Sequence, residues 1–113
     1  MCSSDLVLKI SLPKVKGGDG FAEALMRVLG PAGVIYDRQD AVNGGADNEE
    51  MAALGMPVAS LRQNGLDYFD WHHTPDDTLD KVKASELDQN VAVWSAFVWM
   101  VADSAANFRA PTK

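Results

Sequence analysis

Two adjacent histidines, His72 and His73, stand in the stretch DYFDWHHTPDDTLDK, which runs from residue 67 to residue 81 and also carries five aspartates. Neutral imidazole and carboxylate are donors that zinc accepts, about four to an ion, with three from protein and one from water in a catalytic site. In an extended segment neighbouring side chains point to opposite sides. Both therefore cannot easily bind one ion; one could bind while the other packs or hydrogen-bonds. Asp70, Asp76 and Asp77 are candidate ligands, partners of a ligand, or turn formers, since Asp after Pro in TPDDT is a common way to build a turn. On local spacing alone two readings stand: a metal-binding loop, and a solvated acidic turn with a partly buried histidine.

Composition narrows the donor set. The chain has 113 residues and a single cysteine, Cys2, which excludes an intrachain disulfide and a cysteine-rich zinc cluster. Any metal here would take His and carboxylate. The net charge is −6, from 16 acids against 10 bases. An acidic chain with no basic stripe argues against nucleic acid as a partner. No apolar run is long enough to span a membrane. The length suits one small domain or one segment of a larger one.

The elements that must position the histidines can be read from apolar spacing. Val7 to Leu12 alternate weakly and predict a strand ended by Pro13. Asp19 is a candidate N-cap for a helix whose apolar face holds Phe21, Leu25, Val28 and Leu29, stopped by Gly30 and Pro31. A short strand around Val34 to Tyr36 follows. The loop DAVNGGAD contains Gly44 and Gly45, which permit backbone angles that a side chain blocks. Asp47 and Glu50 stand as a capping box for a helix ended by Gly55. MPVASL then predicts a short buried strand with Pro57 at its start. After the histidine loop, Ser85 and Asp88 are candidate caps of a long last helix. Its stripe is Leu87, Val91, Trp94, Val98, Val101, Ala105 and Phe108, widened by Phe97 and Met100, with Trp99 off it. A band this wide predicts packing against a sheet. Strand, helix, strand, helix, strand, loop, helix is the order of an α/β layered fold with a mostly parallel sheet.

Four segments in order carry a family resemblance: GGAD, MAALGMPVASL, NGLDYFDWHHTPDDTLDKV and LDQNVAVWSAFVWMVAD. Together they resemble the C-terminal part of the zinc exopeptidases, the clan of aminopeptidase Y, plasma glutamate carboxypeptidase and the bacterial leucyl aminopeptidases. The likeness runs clearly from Gly44 to Asp103 and more loosely from Gly18. It implies the C-terminal portion of a three-layer α/β/α domain over residues 7–109, with 110–113 as a tail. The opening MCSSDL, residues 1–6, resembles the translated tail of a sequencing adapter at the broken end of a metagenomic reading frame, which would make Cys2 non-native.

What the resemblance implies for the site is specific. Members bind two zinc ions through two His, two Asp or Glu and a bridging Asp, with a Glu as general base, and cleave peptides at a chain end with metal-activated water. The last ligand is the His directly before Thr in an HT..DT pattern, which falls on His73; His72 occupies a non-ligand position. Asp77 or a backbone carbonyl would hold the other ring nitrogen and fix the tautomer. Asp47 falls where relatives have an Asp beside the active site, in a supporting or substrate-binding role, and is equally a plain N-cap. Asn48 follows it where many relatives have His. Tyr68 and Phe69 either wall the substrate pocket or pack at its rim. The His-x-Asp, the bridging Asp and the Glu-Glu pair are not found; NEE at Asn48 to Glu50 lies in the wrong order for the pair. No catalytic residue is thus expected in this chain, which would be inactive alone. Uncovered sheet edges would promote oligomers. The resemblance also implies a location outside the cytoplasm. Two other readings stay open, a glutaminyl cyclase-like acyltransferase with one zinc and a non-catalytic binding module on the same fold.

Overall fold

In a computed structural model, residues 5–39, 42, 45–66 and 68–109 are described. Gly44, Cys2, most of the expected adapter tail and the 110–113 tail lie outside them. The chain forms an α/β fold built on three strands, β1 (Val7–Ser11), β2 (Ile35–Tyr36) and β3 (Ser60–Gln63). Their spatial order is β2-β1-β3. The β1–β2 pair is parallel, with Ile10 opposite Tyr36. The β1–β3 pair is antiparallel, with Ile10 opposite Leu61 and a register irregularity between Val7 and Lys9. This part of the sheet is thus half parallel. Asp5 and Leu6, at the end of the MCSSDL stretch, are tied in: Leu6 O accepts the Asn64 N–H at 2.8 Å, and Asp5 O accepts an Asn90 side-chain N–H.

Directly opposed residues share a face of a sheet. Ile10, Tyr36 and Leu61 turn toward the helices and join the core. Lys9, Ile35 and Arg62 share the other, exposed face, where Lys9 pairs with Asp37 at 3.7 Å.

Helix α1 (Gly18–Leu29) buries Phe21, Ala22, Leu25 and Leu29. Burying Phe21, Leu25 and Leu29 contributes about 1.5–3 kcal/mol each. Val28, expected on that face, is 50% exposed, and Ala22 takes its place. Asp19 does not cap the helix: Gly17 is the cap and Asp19 lies within the first turn, where its charge still suits the helix dipole. The α-helix ends at Leu29 with Gly30 as its C-cap, as expected, and the chain runs on as a 3-10 turn, Gly30–Ala32. That turn stops at Gly33, at φ 87, and the Val34 N–H closes onto Leu29 O at 3.3 Å.

Helix α2 (Gly45–Ala53) begins two residues before Asp47, so Asp47 falls inside its first turn and the predicted capping box does not form its start. Its end is as predicted. Gly55, at φ 82, donates to Ala52 O at 2.9 Å and Met56 donates to Met51 O at 3.1 Å, the paired closure of a glycine-terminated helix. The strand expected over MPVASL starts later, at Ser60, and is half-buried.

Helix α4 (Ala84–Asp103) has Lys83 as its cap residue, with no side-chain cap bond, so Ser85 and Asp88 lie inside the helix. The residues it buries fully are Asn90 and Val93, with Phe97, Met100 and Val101 packed against the core. The N-terminal part of the predicted stripe faces outward: Val91 and Val98 are each 58% exposed, and Leu87 and Trp94 are exposed with them. The helix is apolar on two sides, and the sheet takes the one that Asn90 joins. That polar residue is accommodated because its Oδ1 accepts from Gln63 Nε2 at 2.7 Å and its Nδ2 reaches Glu86 O at 3.3 Å.

Candidate functional site

The histidine loop leaves the C-terminal end of β3, which the antiparallel pairing sets beside the start of β1. The Leu66 N–H donates to Asn64 Oδ1 at 3.3 Å, turning the chain into the short helix α3 (Tyr68–Trp71). Tyr68 and His72 are four apart, the spacing at which side chains meet on a helix. Their rings stack at 4.2 Å between centroids and 24° between planes. The Tyr68 hydroxyl lies 2.8 Å from His72 Nε2. One ring nitrogen of His72 is therefore taken.

His73 differs in every respect. It is exposed, and its backbone is left-handed, at φ 58, the one positive-φ residue other than glycine among the described residues. Its ring lies 3.7 Å from that of His72, tilted by 44°. The expectation that the two imidazoles point to opposite sides fails, because this segment is a helix end and a tight turn rather than an extended strand. His72 is held by Tyr68, and His73 is exposed with one side of its ring against that of His72.

Thr74 closes the turn. Its N–H and its hydroxyl both donate to Trp71 O, at 3.0 and 2.7 Å. The same hydroxyl oxygen accepts the Asp76 N–H at 3.3 Å, and Thr74 O accepts the Asp77 N–H at 3.2 Å. Asp76 and Asp77 enter this turn through their backbone, as the TPDDT pattern predicts. Beyond them, the Thr78 hydroxyl donates to the Asp80 carboxylate and the Lys81 ammonium donates to it at 2.9 Å. The Thr78 bond first, then Lys81, hold the Asp80 carboxyl below the usual range. Lys81 also sits 4.9 Å from the centre of the Trp71 ring, a cation–π contact.

The other expected site residues are spread out. Tyr68 and Asp77 are half-buried in the loop, whereas Asp70, Asp76 and Phe69 are exposed. Asp47 is exposed in the first turn of α2. No group of three or more His, Cys, Asp or Glu side chains that could hold a metal comes together among the described residues. Judged against zinc, the loop fits one coordination position, through the exposed His73 imidazole, and not the three that a catalytic ion takes from protein. An apolar groove of about 300 Å³ lies at the C-terminal end of β1, lined by Leu12, Pro13, Phe21, Pro57, Phe97 and Phe108 among others, and includes nothing from the histidine loop.

Two features of the loop escaped the sequence reading. The Tyr68–His72 pair was legible as an i, i+4 spacing had the loop been read as helical. Thr74 was legible as a hydroxyl residue beside a turn, where such side chains bond the backbone.

No protein-family model matches this chain. It is 32% identical over 79 residues to carboxypeptidase Q of Rattus norvegicus, a match that covers 70% of this chain and 16% of that protein. It is 34% identical over 59 residues to carboxypeptidase Q of Mus musculus, covering 52% and 13%. Among solved structures, it is similar to a peptidase M28 precursor from Shewanella amazonensis SB2B, with a TM-score of 0.86 and 42% identity over 99% of this chain and 25% of that one. The chain thus spans about a sixth of the length of the rat protein and a quarter of the solved one.

Proposed function

We propose that this chain is the C-terminal part of a metal-dependent exopeptidase, that His73 is a zinc ligand in it, and that the whole protein binds two zinc ions and takes peptide substrates. The likeness to peptidases over one segment of their length supports the reading.

The observation that carries the proposal is the placement of His73. Two helical turns in this chain end on glycine in the left-handed region, at Gly33 and Gly55. The turn after α3 puts a histidine there instead, with its ring in solvent. Left-handed backbone costs a residue with a Cβ about 1–2 kcal/mol, and strain of this kind gathers at functional sites. An exposed imidazole held that way serves the fold poorly and serves a ligand role well. Asp77 and Tyr68, in the same loop, and Asp47, in the first turn of α2, take the supporting or substrate-facing roles. A single donor does not hold a catalytic zinc, so the chain by itself is inactive.

The test is metal content and peptidase activity of the complete gene product, wild type and His73→Gln, beside the isolated chain. The proposal expects two zinc ions in the wild type, loss of one ion and of activity in H73Q, and neither metal nor turnover in the isolated chain. Full metal content in H73Q overturns the ligand role. One zinc in the wild-type protein favours the cyclase-type acyltransferase, and none favours a binding module.

A further inference from the structure

We infer that the outer face of α4 is the seat of a helix from elsewhere in the same polypeptide; the inference rests on the reading that this chain is one part of a longer protein. Between Asp88 and Asp103 the helix carries no charged side chain, and a helix that is apolar all round is a buried one. Its inner side is occupied, with Asn90 and Val93 buried and Phe97 and Met100 packed on the core. Its outer side is not: Leu87, Val91, Trp94 and Val98 are 44–58% exposed. Their spacing of four, three and four makes one narrow seam, the period at which a second helix interlocks its side chains. Ser95 and Ala102 are exposed beside the seam and are small enough to let another helix approach to the usual distance of about 8–10 Å between axes. Trp94 is already held edge-to-face by Phe97, at 6.2 Å and 80°, so its outward placement does not wait for the partner. A strand fits the seam less well, since α4 satisfies its own backbone groups and offers a strand no hydrogen bonds.

The occupant follows from size and length. From Leu87 to Val98 the seam is about 16 Å long and one helix, about 10 Å, wide. A stable interface between separate copies takes about 800 Å² on each partner, which this strip does not reach. A tethered segment needs less, because linkage raises its effective concentration. The solved relative shows where such a segment would come from: this chain covers 25% of it, so most of a protein of that length lies outside these elements. The partner is thus an amphipathic helix of the same polypeptide, with its apolar stripe on the seam and its charges turned away.

The experiment places one reporter on the seam of the complete gene product, as Val98→Cys. Maleimide labelling of that peptide is followed by mass spectrometry, folded and in urea, across protein concentrations. The inference expects labelling of the folded protein at least about 100-fold slower than in urea, since a buried site reacts only through opening, with the same protection in a monomer at every concentration. Labelling close to the urea rate overturns it. So does protection that is lost on dilution as an oligomer dissociates, which marks a second copy as the occupant. Should V98C not fold, oxidative footprinting of Trp94 in the wild-type protein reads the same surface with the same outcomes. None of these readouts uses metal or turnover. A covered seam in a protein without zinc keeps the inference and removes the peptidase reading; an open seam in an active two-zinc enzyme does the reverse. A gene product no longer than this chain removes both.

Discussion

Tyr68 and His72 are joined twice, by a 2.8 Å contact between hydroxyl and Nε2 and by rings stacked 4.2 Å apart. The stack fixes where the His72 ring lies, and the hydroxyl occupies its Nε2. His73, with its ring against this unit and its backbone left-handed, is the histidine with donor capacity facing solvent. Selection within the pair follows from a helical spacing of four and not from the alternation of an extended strand.

The first prediction concerns the strain at His73. Replacement by glycine removes the left-handed penalty of about 1–2 kcal/mol and adds unfolded-state entropy of about 0.4–1 kcal/mol. His73→Gly should leave stability unchanged or raise it by up to about 1.6 kcal/mol. His73→Val, β-branched and poor at positive φ, should be less stable than the wild type. Thermal melts of the metal-free proteins would rank them. A clear loss in the glycine variant would show that the ring supports the fold and would remove the main argument for its role in binding.

A second prediction lies at the start of the sheet. The Gln89 side chain grips the Val7 peptide from both sides: Val7 N–H donates to its Oε1 and its Nε2 donates to Val7 O, each at 2.9 Å. Nε2 also reaches Ala32 O at 3.2 Å. This is where the β1–β3 register is irregular and Val7 is fully buried. Gln89→Leu leaves a buried N–H and C=O unmatched, at about 1–3 kcal/mol each. The expected loss is about 2 kcal/mol or more, read as a lower urea midpoint. An unchanged midpoint would mean that water or a neighbouring group satisfies the peptide.

The third prediction concerns the uncovered surfaces. Val91, Trp94 and Val98 form an apolar stripe along the outside of α4, Ile35 is 63% exposed on the open face of the sheet, and β2 and β3 are its edges. Apolar patches of this kind favour association. The isolated chain is expected to form oligomers on size-exclusion chromatography, and Val91→Lys with Val98→Lys to shift it toward monomer. A wild-type chain that runs as a monomer and melts cooperatively would argue that these faces need no cover.

Much of the fold was legible in local pattern. The α1 residues Phe21, Leu25 and Leu29 repeat at four because a helix has one buried stripe, and Gly55 ends α2 because only a residue without Cβ reverses the backbone there cheaply. Caps were less legible. Asp19, Asp47 and Ser85 have the right chemistry for a cap, but helices began one or two residues earlier where the chain geometry allowed. In α4 the sequence pattern could not decide which apolar side is inside, since both are hydrophobic.

By itself, then, the sequence determined the α/β class, the helix periods and the turn at TPDDT, and it marked the pair of histidines as candidates. Tertiary structure alone decided which side of α4 is buried, since packing at Asn90 depends on Asp5, Gln63 and Glu86 arriving there together. The folded turn likewise decided that His72 would be engaged and His73 exposed. Periodicity reports what a segment can do in isolation; a left-handed residue and a satisfied buried amide exist only when distant groups hold them, and no window of sequence contains that constraint.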